Sequence, residues 1–97
     1  MEITLDIDKP FAEVEKWLMT IETCLKESIF RDSIHVISAS ESAHGRIHIH
    51  IATDYAVLPA FALLLRYWLR DDPRRLRIDI NRFFHGHVDD IQWVMRE

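Results

Sequence analysis

Hydrophobic and polar residues alternate along several segments of the chain, as they do in β-strands that bury one face. The alternation is strict in Glu2–Asp8, and it recurs in the segment 44–54, where isoleucines alternate with His48 and His50. Ser33–Ala39 is rich in β-branched residues and predicts a further strand between these two. The three segments therefore predict the first three strands of a sheet.

Two other segments predict helices, and the first of them repeats hydrophobic residues every three or four positions, which is typical of an amphipathic helix. The segment 11–29 predicts the first helix, with its acidic residues facing outward. The second predicted helix follows Asp54, a favourable N-cap residue, and ends near Arg70 because Pro73 disfavours its continuation. Pro59 lies inside this second segment, so the helix either starts late or bends there.

Two further alternating segments complete the predicted sheet. Leu76–Ile80 predicts a fourth strand, and 91–95 predicts a closing strand, for which a short helix starting at Asp89 or Asp90 is the alternative. The order strand–helix–strand–strand–helix–strand predicts one α+β domain over residues 1–97. Its fold would be a ferredoxin-like βαββαβ two-layer sandwich with an additional C-terminal strand. Two helices would cover one face of the antiparallel sheet.

The composition bears on which partners the chain can bind. Its formal net charge is −4, and residues 1–45 carry nine acidic and four basic side chains, so nucleic acid is disfavoured as a direct ligand. Six arginines fall between Arg66 and Arg82, but aspartates interrupt them, and an ion-paired face is the preferred interpretation. The single cysteine, Cys24, excludes an internal disulfide and fits a reducing, cytoplasmic location.

No membrane segment is predicted. The most apolar run, Tyr55–Leu65, has about half the length needed to cross a bilayer. The first residues are acidic, so no signal peptide is expected.

Histidines on one face of the third strand suggest a metal site. In the predicted topology His48 and His50 lie beside Thr4 and Asp6 of the first strand and near Asp79 of the fourth. Imidazole and carboxylate groups suit zinc or manganese. The candidate ligands are Asp6, His48, His50, Asp79, His85 and His87. The alternative is an open polar face with half-exposed histidines and no metal or other cofactor.

The triplet His48-Ile49-His50 resembles the His-hydrophobic-His element of the HUH endonuclease superfamily, which cleaves single-stranded DNA and uses a ferredoxin-like sheet. The resemblance implies that both histidines hold a divalent metal that polarises the scissile phosphate. Tyr67 would be the nucleophile, with Arg70 in the place of a lysine that is frequent in the family. Tyr67 follows His50 by only 17 residues and lies on a helix expected to cover the other sheet face.

The second predicted helix has no polar stripe in its first half. A helix that is apolar all round is normally buried on every side, whereas a two-layer domain leaves one side of each helix exposed. The predicted interface comprises Val57, Leu58, Phe61, Leu64, Leu65 and Trp68. The alternative is that Pro59 delays the helix and the early residues form a packed loop. We expect a non-catalytic, regulatory protein-binding module that forms a homodimer or docks on a partner protein.

Overall fold

The computed structural model describes residues 1–87. In chain order, its elements are β1 (Glu2–Pro10), a 3₁₀ turn (Phe11–Glu13), α1 (Val14–Lys26), β2 (Ile34–Glu41), β3 (Arg46–Thr53), α2 (Pro59–Trp68) and α3 (Pro73–Phe84). The protein is thus α+β, as predicted. The predicted closing strand at 91–95 lies outside the described residues.

The three strands form an antiparallel sheet in the order β1-β3-β2. The central strand β3 places His48 opposite Asp6 and His50 opposite Thr4 on β1. A tight turn joins β2 to β3, and Gly45 takes a φ of +74° there, a conformation that glycine adopts readily. The predicted strand–helix–strand–strand order of the first half is therefore confirmed.

The isoleucine face of the sheet forms the core. Ile47, Ile49 and Ile51 of β3 are fully buried, and they pack in one cluster with the apolar residues of β1. Helix α1 contributes Ile21 and Leu25 to this cluster. Helix α2 contributes its own inner residues, Ala62 and Leu65, and Leu69 follows at its end. Two helices thus cover one face of the sheet, as the alternation of β1 and β3 predicted.

The predicted fourth strand at Leu76–Ile80 is wrong, because this segment lies within α3. Leu76 and Asp79 are buried, while Ile78 between them is about half exposed, so the inward positions are three residues apart rather than two. The helix begins with Pro73 at its first position, and the Asp72 side chain accepts a hydrogen bond from the Arg74 N–H. The alternation of Leu76, Ile78 and Ile80 resembled a strand because the buried helix position 79 is an aspartate, which a pattern of hydrophobic residues leaves out.

The turn between α2 and α3 covers the outer edge of β1, where a fourth strand of a ferredoxin-like sheet would pair. The Asp72 N–H donates to the Asp6 carbonyl at 2.6 Å, and the Asp6 N–H donates to Asp71 Oδ1 at 2.7 Å. Arg75 Nη2 donates to the Thr4 carbonyl at 2.7 Å. These contacts satisfy backbone groups that a neighbouring strand would otherwise pair.

Among residues 1–87, no helix combines the length and the apolar character required to cross a membrane.

Candidate functional site

The polar face of the sheet brings the two predicted histidines next to β1. His48 Nε2 lies 2.6 Å from Asp6 Oδ1. His50 is hydrogen-bonded through Nδ1 to Thr4 Oγ1 at 3.3 Å and through Nε2 to Ser40 Oγ at 3.2 Å. The predicted placement beside Thr4 and Asp6 is confirmed. Both ring nitrogens of His50 already have hydroxyl partners.

The Asp6 carboxylate also contacts α3. Its Oδ2 atom accepts a hydrogen bond from Arg75 Nη1, while Oδ1 faces His48. Arg75 Nη2 lies 3.4 Å from Asp71 Oδ2 as well. Asp6 therefore joins the central histidine of the sheet to the first turn of α3, and both of its oxygens have protein partners.

The remaining predicted metal ligands lie elsewhere. The side chain of Asp79 is buried and pairs with Arg66, with Nη2 and Oδ2 separated by 2.8 Å. Its predicted position near His48 is therefore wrong, because it depended on the fourth strand. His85 bonds through Nδ1 to the Asn81 carbonyl at 2.8 Å at the end of α3, and His87 lies in the segment after that helix.

Of the predicted ligand set, the structure brings together Asp6 and His48, with His50 beside them. In the part of the chain that the structure describes, no three His, Cys, Asp or Glu side chains are grouped so that they could hold a metal ion. A small polar cavity of about 160 Å³ does open beside Asp6 and His48. It is lined by Asp6, Ile7, Asp8, Ser42, His44, Arg46, His48 and Asp72.

Tyr67 is not brought to the histidines. The inner residues of α2, Leu65 among them, pack on the isoleucine face, while His48 and His50 point to the opposite face. Tyr67 is exposed on the outer side of α2. The sheet therefore lies between the histidine pair and the nucleophile that the HUH resemblance implies.

A buried ionic cluster joins α2 to α3. Arg66 has no exposed surface, and its Nε atom donates to Asp71 Oδ2 at 2.6 Å while Nη2 faces Asp79. Arg82 also approaches Asp79, with a hydrogen bond of 3.3 Å. Burial raises the pKa of the Asp71 carboxyl above its ordinary value, although the guanidinium groups of Arg75 and Arg66 oppose this shift.

Sequence reasoning missed this cluster, although a signal was present. Arg66 lies in the inward stripe of α2, three residues before Leu69 and next to Leu65. An arginine in a buried stripe needs an anionic partner, and the closest acids in the sequence are Asp71 and Asp72.

The predicted interface residues of α2 divide into two groups. Leu65 belongs to the core, Val57 packs against it, and Phe61 packs edge-on against Phe30 with ring centroids 5.5 Å apart. Placing Leu65 at an interface is therefore wrong, while Val57 and Phe61 are partly buried by these contacts. The helix starts late, at Pro59, and turns this side of α2 toward the sheet. Leu58, Leu64 and Trp68 are exposed.

An apolar groove lies between α2 and α3 on the exposed side. Its volume is about 450 Å³, and it is lined by Ala60, Leu63, Leu64, Tyr67, Ile80, Phe83 and Phe84. Leu64, Tyr67 and Phe84 are 66%, 72% and 77% exposed. The residues from α3 could not be found from the sequence because Leu76–Ile80 was assigned to a strand, so no helix was expected to bring Phe83 and Phe84 to this side.

Arginines are the exposed charged residues of the segment that contains α2 and α3. Between residues 59 and 87 the exposed charged side chains are Arg70, Arg74 and Arg77, because Asp71 and Asp79 are buried and Asp72 caps α3. The helical pair thus combines an apolar groove with positive surface charge, although the whole chain carries a net charge of −4.

No protein-family model, curated protein or solved structure matches this chain. What it does must therefore be inferred from the α2–α3 groove and the polar face of the sheet.

Proposed function

We propose that this chain is a small, intracellular, non-catalytic module that regulates a partner protein by binding it in the α2–α3 groove. The observation that carries the proposal is the exposure of Leu64, Tyr67 and Phe84 around one apolar groove. Contiguous exposed apolar surface on a small protein usually marks an interaction site. The order β1-β3-β2 with α1 between β1 and β2 supports a ferredoxin-like scaffold for this module.

The chemistry of the groove favours an acidic, amphipathic segment of a partner protein. An amphipathic helix places apolar side chains at spacings of three and four residues, which suits a groove between two helices. Acidic residues on that segment would lie near Arg70 and Arg77, and this complementarity would speed association. A homodimer formed through the groove is disfavoured, since it would bring these arginines close to their copies.

Designed peptides test this proposal. We would measure, by fluorescence anisotropy, the binding of a labelled amphipathic helical peptide with leucine and tryptophan on one face and glutamate on the other. A second peptide would carry lysine in place of every glutamate. We expect the acidic peptide to bind at least about tenfold more tightly, because its glutamates attract the exposed arginines Arg70 and Arg77. Equal affinities of the two peptides would contradict the proposed charge preference.

Matched variants locate the binding site. Leu64→Glu places a charge in the groove and should weaken the binding of the acidic peptide by about tenfold or more. Met19→Glu makes a similar change on the outer face of α1, where Met19 is also exposed, and should leave the affinity unchanged. An equal loss in both variants would mean that the peptide binds without using the groove.

The alternative is a divalent-metal-dependent enzyme that uses zinc or manganese. One observation favours it, namely the contact of 2.6 Å between His48 and Asp6 beside a polar cavity. Native mass spectrometry with each ion, on the protein and on its His48→Ala/His50→Ala variant, tests it. A stoichiometric ion that the double variant loses would support the enzyme over the binding module.

A further inference from the structure

The outer edge of β2 is the second surface open to another protein. β2 pairs with β3 on one side, and among residues 1–87 no strand pairs with its other side. The opposite edge of the sheet differs, since Asp71, Asp72 and Arg75 cover β1 there. Within residues 1–87, one edge of the sheet is thus occupied by the chain itself, and the other presents backbone groups.

The hydrogen-bond pattern identifies which backbone groups point outward. The Asp54 N–H donates to the Ser33 carbonyl at 2.9 Å, and the Ser42 N–H donates to the Arg46 carbonyl at 2.9 Å. Residues in an antiparallel pair alternate between facing the partner strand and facing away from it. Ser33 and Ser42 face β3, so every second residue inward from each of them faces it too. The N–H and C=O groups of Val36 and Ala39, which lie between, therefore point away from β3.

The sequence of β2 gives this edge only part of the usual protection, namely a bulge between Val36 and Ser38 and the terminal charge of Glu41. Exposed edges in natural proteins commonly carry lysine, proline or an inward-pointing charge, which prevents pairing with another chain. The segment Ile34–Glu41 contains neither lysine nor proline, and small serine and alanine side chains occupy most of its second half. A register shift between Val36 and Ser38 is the one irregularity in its pairing with β3.

Mixed charges line the space beside this edge. A shallow cavity of about 410 Å³ runs between α1 and β2, lined by Glu22, Leu25, Lys26, Arg31, Asp32, Ile34, His35 and Val36. Two acids and two permanent cations are therefore close together around an apolar floor. Two-fold symmetry can set acids of one copy against cations of the other, so this surface is complementary to itself, unlike the arginine-bearing groove.

We propose that a second copy of this chain adds its β2 antiparallel to this β2, so that two three-stranded sheets become one. Antiparallel pairing of two identical strands is isologous and closes after two copies. It satisfies the outward backbone groups of both strands at once. None of the groove residues lies on β2, so each copy in the dimer keeps its α2–α3 groove open. This inference does not depend on the proposed partner of that groove.

Sedimentation equilibrium of the full chain over the micromolar range tests the proposal. We expect a mass twice the 11.5 kDa of one chain. Ser38→Lys should raise the dimer dissociation constant by about tenfold or more, because it puts like charges near each other at the middle of the paired strands. Ser38 is exposed, so the circular dichroism spectrum should not change. Ala43→Lys, in the exposed β2–β3 turn, adds the same charge away from the edge and should leave the dimer intact.

Two outcomes would overturn the proposal. One is a protein that stays monomeric throughout this range, and the other is a dimer that Ser38→Lys leaves intact while Leu64→Glu dissociates it. Amide hydrogen exchange gives a readout that does not depend on mass. The amides of Val36 and Ala39 should exchange slowly in the dimer and faster in the Ser38→Lys variant, while those of β3 stay protected in both.

Discussion

At the scale of single residues, Arg66 has the strongest consequence for stability. Its guanidinium is fully buried between Asp71 and Asp79, and it fastens α2 to α3. A buried ion pair adds little compared with a well-packed apolar pair, but removal of one partner leaves the other charge without compensation.

Arg66→Met should therefore lower the free energy of unfolding by about 3–5 kcal/mol. The methionine fills part of the volume but removes the guanidinium that contacts both buried carboxyl groups, so that Asp71 and Asp79 retain their longer contacts with Arg75 and Arg82. Urea unfolding followed by circular dichroism measures the change. Arg77→Met, at an exposed position of α3, is the control, and its effect should be within about 0.5 kcal/mol. Similar losses in both variants would contradict the buried position of Arg66.

The Asp71 carboxyl gives a prediction for pH. Burial raises its pKa in the folded protein above the value in the unfolded chain, so the folded state holds the proton more tightly. The stabilisation from this proton is present below the unfolded pKa and is lost as the pH rises through the folded pKa. Asp71→Asn has no such proton. As the pH falls from 7 to about 4, the free energy of unfolding of the wild type should thus increase relative to that of Asp71→Asn. A relative decrease in the same urea measurements would show that Arg66 and Arg75 outweigh burial.

The histidine face shows what could be predicted at this scale. Strand alternation alone placed His48 and His50 opposite the buried isoleucines and beside Thr4 and Asp6, which the structure confirms. The Arg75 contact to Asp6 could not be predicted in the same way. It depends on the position of α3, which no periodicity in β1 or β3 specifies.

At the scale of elements, the first half of the chain follows its hydrophobic pattern and the second half departs from it. β1, α1, β2 and β3 were all predicted, because β1, α1 and β3 each have a regular period with one apolar face and β2 is rich in β-branched residues. α3 was predicted as a strand. Its inward face includes Asp79, so the helical period is hidden from a reading that counts only apolar residues. Asp72 and Pro73, which begin α3, were used only to end α2.

Two alanine variants separate the helix from the strand that the sequence suggested. In α3, Leu76 is buried and Ile78 is about half exposed, whereas in a strand both would face the core. Leu76→Ala should lower the free energy of unfolding by about 2–5 kcal/mol. Ile78→Ala should change it by less than about 0.5 kcal/mol. Equal losses on urea unfolding would instead favour the strand.

At the scale of the whole molecule, acidic and basic side chains are separated along the chain. Residues 1–45 supply nine of the acidic side chains, while the exposed charges of α2 and α3 are arginines. The net charge of −4 thus describes neither surface that we propose to be functional. The groove exposes apolar side chains, whereas the β2 edge exposes backbone groups that no strand within residues 1–87 pairs, so the two surfaces fit different kinds of partner.

If both surfaces act as proposed, the β2-linked dimer offers two grooves to one ligand. A peptide with two copies of the acidic helix, joined by a flexible Gly/Ser linker, should then bind more tightly than the single helix, by up to about 100-fold. Ser38→Lys should remove this gain without changing the affinity of the single helix, because it separates the copies and leaves each groove as it was. Fluorescence anisotropy of the labelled single and tandem peptides measures both affinities, and linkers of increasing length would locate the span at which the gain is largest. An unchanged gain in Ser38→Lys would show that the two grooves are not joined through β2.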